Sequence, residues 1–242
     1  MDLKILEHTP PWEWPQDAGP YFLKILGDDQ AGESDRCLAA ELAGDFTVIS
    51  DDTVHALLSI TANPNESEKL RSISVISLGT ALANADMMGF EDPDDVIISE
   101  ETFIKIQEML HKLFMDTEIP TDVRRRILEA SVRAPQEWHS ENVRAAFSSD
   151  EEDWRLTAVF CMQYIRGFDN QILEALNDEN ADIHYHAVCA AGNWAVDAAW
   201  PHIRALVDGD ATDKPLLLAA IDAVVNIRPL EAAEVLGDFI ND

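Results

Sequence analysis

A repeated pattern is the feature of this sequence that most constrains its fold. Each copy contains an apolar segment ending in Leu or Phe, a short acidic turn, a basic residue and a second apolar segment, as in residues 147–159 and 176–188. From the third basic position onward the steps are 31, 29 and 30 residues, and the six positions are Arg36, Arg71, Arg124, Arg155, His184 and Lys214. A repeat of this length fits one pair of antiparallel helices, and stacked pairs form an α-solenoid. We therefore predict an all-α fold, a right-handed superhelix of about six helical hairpins.

Apolar periodicity and turn signals place the helices of these hairpins. The predicted pairs are 18–27 with 34–44, 53–61 with 67–83, 100–115 with 122–134, 140–148 with 151–166, 169–177 with 182–195, and 199–208 with 215–227. A last apolar stripe predicts a single helix over 230–240, the first helix of a pair whose second helix is missing. Three origins fit this last helix: it closes the stack, a longer ancestral chain was shortened, or a partner covers it.

Two segments interrupt the repeats. Residues 1–16 contain Pro10, Pro11 and Pro15, which restrict themselves and the residues before them, so we predict an extended N-terminal cap ahead of a repeat domain over 17–242. A docking motif is the alternative role of this segment. Residues 84–99 contain Gly89, Pro93 and an acidic run, and they predict a loop insertion that accounts for the long step from Arg71 to Arg124.

The charge balance limits the classes of partner. The chain has 17 Lys and Arg against 46 Asp and Glu, a formal charge of −29. A field of this sign repels phosphates and anionic lipids and attracts basic partners or cations. Surface solubility or salt adaptation is the alternative explanation. We expect no nucleic-acid or membrane partner.

Targeting signals and cysteine usage favour the cytosol. No stretch reaches the roughly 18–20 apolar residues of a membrane span, and the N-terminus lacks the basic start and apolar run of a signal peptide. Cys37, Cys161 and Cys189 are far apart within apolar helix segments and form no CxxC motif, which is typical of reduced core cysteines. A cytoplasmic location is the expectation.

Two of the repeats resemble a known family. The segments 153–159 and 182–191 are similar to the HEAT-like repeats first described in phycobilin lyases, in which an Asp, an apolar residue and Arg precede an Ala/Val-rich second helix. The resemblance covers about 20–240, is weakest at 84–99 and the C-terminal pair, and extends to bacterial HEAT-repeat proteins. It implies scaffolds and adaptors, bilin lyases, subunits that modify other proteins, or DNA-base repair enzymes. The repeat motif contains no catalytic residue, and its Arg is expected to bridge to an acid of a neighbouring turn.

Signatures of catalysis and of metal or cofactor binding are missing from the sequence. No phosphate-binding glycine loop, dinucleotide fingerprint or nucleophile elbow occurs. His184 and His186 are two residues apart and point away from each other on a helix, although His202 of the next repeat is able to join one of them. The acids Asp92, Asp94 and Asp95 lack the Gly and terminal Glu of an EF-hand loop. We therefore predict no catalytic, cofactor-binding or metal-binding residue.

A cluster of arginines suggests a binding surface. Seven of the 11 arginines lie between Arg124 and Arg166, several of them on second helices, which line the concave groove in HEAT-like stacks. Arginine suits carboxylate and phosphate ligands, and internal pairing with nearby acids is the alternative. The predicted partner-binding residues of this groove are Arg126, Glu129, Arg133, Arg166, His186 and Asn193.

These features together predict a non-enzymatic scaffold or adaptor that binds a protein or peptide in its concave groove. The second hypothesis is an accessory enzyme subunit of the bilin-lyase or protein-modifying type. Nucleic-acid base repair is a third, which the negative charge disfavours.

Overall fold

The computed structural model describes residues 1–92, 96–209 and 212–237, and within these ranges every regular element is helical. The chain divides into two compact units, Met1–Pro135 and Gln136–Asp242. No helix in the described ranges is long and apolar enough to cross a membrane.

Unit 1 contains three helix pairs in two layers. Its α-helices are α1 (Leu3–Glu7), α2 (Ala18–Leu26), α3 (Glu33–Ala43), α4 (Asp51–Ala62), α5 (Glu68–Ser77), α6 (Gly79–Met88), α7 (Glu100–Met115) and α8 (Thr121–Ser131). The pairs are α2 with α3, α4 with α5, and α7 with α8. Helices α2, α4 and α7 pack side by side as a first-helix layer, and α3, α5 and α8 pack as a second-helix layer.

Unit 2 also contains three helix pairs and a layer of second helices. Its α-helices are α9 (Glu137–Phe147), α10 (Glu152–Cys161), α11 (Asp169–Ala175), α12 (Ala181–Asn193), α13 (Trp200–Val207), α14 (Lys214–Ile227) and α15 (Pro229–Val235). The pairs are α9 with α10, α11 with α12, and α13 with α14, while α10, α12 and α14 form the second-helix layer and α15 packs on α14. The predicted all-α solenoid of helical hairpins is confirmed, with six pairs in the described part of the chain.

The repeated basic residue joins the two helices of a pair in unit 1. Arg36, Arg71 and Arg124 each donate a hydrogen bond to the backbone carbonyl ten residues earlier, at distances of 3.1, 2.9 and 2.8 Å. The acceptors are Leu26, Thr61 and Phe114, each the last or last but one residue of the first helix. The last carbonyls of a helix have no partner within the helix and carry its negative dipole end. A cation at this position therefore fixes the turn between the paired helices.

Two of the repeated arginines also reach the next pair. Arg36 makes a bidentate ion pair with Glu66 in the turn before α5, and Arg155 pairs with Asp178 in the turn before α12. These are the bridges to a neighbouring turn that the repeat motif predicts. The hydrogen bond with Glu66 raises the pKa of Arg36, whereas burial lowers the pKa of Arg71, which is 3% exposed.

The N-terminal segment differs from the predicted extended cap. Residues 3–7 form α1, since the Asp2 side chain caps the helix and Leu3 and Leu6 are buried, and α1 packs on α3. A 3₁₀ turn follows at Pro11–Glu13 because proline at the first helical position needs no N–H donor. The proline restrictions therefore apply only after the first seven residues.

The insertion is also shorter than predicted. The predicted helix 67–83 breaks at Leu78, and α6 then continues to Met88, so the first five residues of the predicted loop are helical. The Ala- and Met-rich segment favours helix, and Gly89, with a φ of 67°, ends it. After the last pair, α15 matches the start of the predicted single helix 230–240, while Phe239 and Ile240 lie outside the described residues.

Two glycines lie where neighbouring second helices are in close contact. A Cβ added to Gly44 on the α3 side meets the Ser77 backbone at 2.9 Å, and one added to Gly192 of α12 meets the Cα of Ala223 in α14 at 2.9 Å. These contacts are too short for a methyl group, so each glycine sets the distance between neighbouring second helices.

The first prediction concerns the ion pair of Arg36. The variant Arg36→Ala is expected to lose about 3 kcal/mol of unfolding free energy, because it leaves the mostly buried Glu66 carboxylate unpaired. Urea denaturation of Arg36→Ala, Glu66→Ala and the double variant measures the coupling, and the double variant should lose less than the sum. Arg204→Ala removes a half-exposed pair and should change stability by no more than about 0.5 kcal/mol. Strictly additive losses would contradict the prediction.

The second prediction concerns the close approach. Gly44→Ala and Gly192→Ala should each destabilise the protein by about 1–3 kcal/mol, because the added methyl meets backbone atoms of the neighbouring helix. Gly27→Ala is the control, since its Cβ would lie 3.5 Å from the nearest atom, in ordinary contact. Thermal denaturation compares the three, and equal melting temperatures for all of them would contradict the prediction.

Candidate functional site

The second-helix layer of unit 1 carries a groove of about 740 Å³, which we call the unit 1 groove. Helix α5 forms its floor, and α3 and α8 form its walls. The floor residues occur at helical spacing, and the lining consists of Glu41, Glu68, Lys69, Ser72, Ile73, Ile76, Ser77, Asp122, Arg125 and Arg126.

The floor of the unit 1 groove is apolar and accessible. Ile73 and Ile76 are half-buried, although α5 buries Leu70 and Val75 fully on its other face. A helix in the middle of a layer packs against its pair partner and two neighbours, which leaves one strip open. In α5 this strip carries isoleucine where solvent-facing helix positions are usually polar, so the groove has a partly accessible apolar floor.

The rim of the unit 1 groove is charged. Asp122 lies 3.6 Å from the guanidinium of Arg125, and Arg126 pairs with Glu129 one turn later. Both arginines are therefore engaged with acids of their own helix. Glu41, Glu68 and Lys69 are exposed around the floor.

Unit 2 carries a smaller groove of about 440 Å³ between α12 and α14. Tyr185 and Cys189 line it on α12, and Leu218 and Asp222 line it on α14. Burial raises the pKa of the Cys189 thiol, and the neighbouring Tyr185 acts in the opposite direction. Because the thiolate is the reactive form, this cysteine is a poor nucleophile at neutral pH. The unit 2 groove thus presents a mixed apolar and polar surface for contact.

The predicted site residues of unit 1 are only partly brought together. Arg126 lines the groove and forms the ion pair with Glu129. Arg133 instead packs its side chain on Gly79 of α6, where an added Cβ would lie 2.9 Å from the Arg133 Cδ. Spacing on one helix suggested a common face for Arg126 and Arg133, but the second arginine lies beyond Ser131, the last residue of α8.

Two of the three predicted site residues of unit 2 contact the same glutamine, Gln163. His186 Nδ1 lies 3.1 Å from the side-chain nitrogen of Gln163, and the Asn193 amide donates to the Gln163 carbonyl at 3.2 Å. Arg166 places its guanidinium 4.7 Å from the ring centroid of Trp194. Of these residues only Asn193 also lines the unit 2 groove.

Sequence reasoning missed the floor of the unit 1 groove. Lys69, Ser72, Ile73 and Ile76 are spaced as i, i+3, i+4 and i+7, and the pattern reads as a buried helix face. The sequence contains a second apolar strip on α5, through Leu70 and Val75, so two faces of this helix are apolar. Only the packing shows which strip faces the layer beneath.

A histidine pair occupies the repeated basic position of α12. The Nε2 atoms of His184 and His202 are 2.8 Å apart and the rings are nearly perpendicular. One imidazole therefore donates its Nε2 proton to the other. Burial lowers the pKa of both, with His184 adding to the effect on His202, while Asp213 and Asp178 act in the opposite direction on His184. In the described residues no group of three or more His, Cys, Asp or Glu is arranged to hold a metal ion.

Comparison with known proteins supports the fold. No family model matches the sequence, and no curated protein matches it. The X-ray structure of YibA from Escherichia coli is similar with a TM-score of 0.50 and 15% identity, over 96% of this chain and 79% of that one. A designed armadillo repeat protein gives a TM-score of 0.45 and 14% identity, over 86% of this chain and 99% of that one. The similarity to YibA concerns the helical-repeat fold alone.

The histidine pair predicts a pH dependence of stability. Because the folded-state pKa of each imidazole lies below its unfolded value of about 6.5, the unfolded state takes up more protons as the pH falls. The contribution of the neutral pair to the free energy of unfolding is therefore fully present above the unfolded-state pKa, and it is lost as the pH falls through the lower folded-state pKa values. Urea denaturation between pH 7.5 and 5 should show a smaller loss for the double variant His184→Gln/His202→Gln than for the wild type. Equal slopes would contradict the assignment, and His8→Gln, at an exposed position, is the matched control.

Proposed function

We propose that the protein is an interaction scaffold whose partner binds on the second-helix layer, with the unit 1 groove as its principal contact. The observation that carries this proposal is the strip of Ile73 and Ile76, which stays open to solvent within a concave lining. Accessible apolar surface in a groove with a polar rim is typical of protein interaction sites. The fold itself supports the same role, because stacked repeats present extended binding surfaces.

The chemistry of the grooves supports binding more than catalysis. Arg125 and Arg126 are paired with acids on α8, and the Cys189 thiol is held in its protonated form by burial. A catalytic site needs titratable groups held near a common reacting atom. Here the charged groups of the unit 1 groove surround an apolar strip, which is the arrangement of a contact surface.

Substitution of the groove floor tests the proposal. The variant Ile73→Asp/Ile76→Asp should lose partner proteins that the wild type captures from lysate of the source organism, because two carboxylates replace the apolar contact. Circular dichroism and the melting temperature establish that the variant is folded. Ile104→Asp is the matched control, since Ile104 is 46% exposed on α7 of the first-helix layer. Quantitative mass spectrometry should show at least about tenfold depletion for the groove variant only, the loss expected from removing one well-buried contact.

A photo-crosslinking amino acid at Ser72 gives a second, independent measurement. Ser72 lies on the groove floor, and a crosslinker there should label the same protein that the Ile73→Asp/Ile76→Asp variant loses. Capture of one set of proteins by the wild type and both variants, with no label from position 72, would reject the unit 1 groove as the contact.

A further inference from the structure

We propose that the occupant of the unit 1 groove is an extended polypeptide segment with an apolar side chain flanked by Lys or Arg about three or four residues to either side. This inference rests on the proposed function and adds the chemistry of the partner.

The floor sets the central residue of the segment. Ile73 and Ile76 lie one turn apart, and Ser72 and Ser77 beside them are small. A groove of about 740 Å³ has room for a Leu-sized side chain together with the backbone that carries it. An aliphatic side chain seated there removes its own surface and that of both isoleucines from water.

The rim sets the charge of the flanking residues. Glu41 on α3 and Asp122 on α8 are exposed on opposite walls, and Glu68 is exposed beside the floor. Arg126 is paired with Glu129, and the Arg125 side chain is buried, whereas the side chain of Asp122 is 63% exposed beside it. Lys69 is an exposed cation among these acids. In sequence, residues 1–135 contain 11 Lys and Arg against 26 Asp and Glu, a formal charge of −15. Such a field draws basic segments toward the groove and repels acidic ones.

The layer sets the spacing. Neighbouring packed helices lie about 8–10 Å apart, and an extended chain advances about 3.3 Å per residue. A segment that crosses α3, α5 and α8 therefore places side chains three or four residues apart over successive helices. An apolar residue over α5 then has one basic neighbour near Glu41 and another near Asp122.

Three labelled peptides test this pattern by fluorescence anisotropy with the full chain at about 50 mM salt. The first is Lys-Lys-Ser-Ser-Leu-Ser-Ser-Lys-Lys, the second has Glu in place of every Lys, and the third has Ala in place of Leu. The Lys peptide should bind at least about tenfold more tightly than the Glu peptide. Replacing Leu by Ala should weaken binding about fivefold or more, as expected for a partly buried Leu.

Matched variants locate the contacts. Ile73→Ser/Ile76→Ser should remove the difference between the Leu and Ala peptides. Glu41→Gln/Asp122→Asn should weaken the Lys peptide, whereas Glu101→Gln/Glu108→Gln, at exposed acids of α7, should leave its affinity within about twofold.

The outcomes separate this inference from the proposed function. Tighter binding of the Glu peptide would overturn the partner chemistry while leaving the scaffold role in place. Equal binding of the Lys peptide by wild type and Ile73→Ser/Ile76→Ser would also overturn the partner chemistry. The peptide would then bind through the negative charge of the whole protein and not through the groove floor. Failure of all three peptides, together with a lysate partner that depends on Ile73 and Ile76, would reject this segment and retain the proposed function.

Discussion

The hydrogen bond from a repeated arginine to the end of the preceding helix is the contact on which the packing of unit 1 depends. Two antiparallel helices joined by a short turn leave unpaired carbonyls at the end of the first helix. Arg36, Arg71 and Arg124 satisfy those carbonyls from the start of the second helix, so each pair has a defined geometry before it stacks. Glu66 and Asp178 then link two of the repeated arginines to the following turn, which sets the register between neighbouring pairs. The repeated arginines therefore make polar contacts within a largely apolar stack.

A stack assembled in this way leaves one strip of each inner second helix open. In unit 1 the first-helix layer covers one side of α5, and α3 and α8 cover the flanks. The remaining strip is usually polar in a solvent-facing helix, and in α5 it carries Ile73 and Ile76. Burying them against the layer is impossible without rotating α5, because Leu70 and Arg71 already occupy that side. The groove thus follows from repeat packing. Its apolar floor does not, because polar residues at positions 73 and 76 would be compatible with the same packing.

The repeat pattern was sufficient to predict the helix pairs, because the 3.6-residue period and the conserved distance from turn to basic residue both follow from local geometry. The breaks were harder to predict. Residues 1–7 were expected to be extended because the segment that follows is rich in proline. Instead, Asp2 caps helix α1, and the side chains of Leu3 and Leu6 are buried. The insertion was expected to begin at Asn84, but helix propensity carries α6 to Met88. Spacing alone did not place the predicted site residues, since Arg133 lies beyond the end of α8 and packs on Gly79.

Electrostatics explain why so acidic a chain keeps its arginines. With a formal net charge of −29, the protein attracts its own cationic side chains. In the described residues six arginines pair with carboxylates: Arg36, Arg125, Arg126, Arg155, Arg204 and Arg228. Others stack on aromatic rings, as Arg166 does on Trp194. Pairing neutralises the positive charge locally, so the field at the surface is set by acids in excess. Arginines in so acidic a sequence are consequently engaged within the protein, some within one helix and some between helices, and the excess acids favour positively charged groups at the surface.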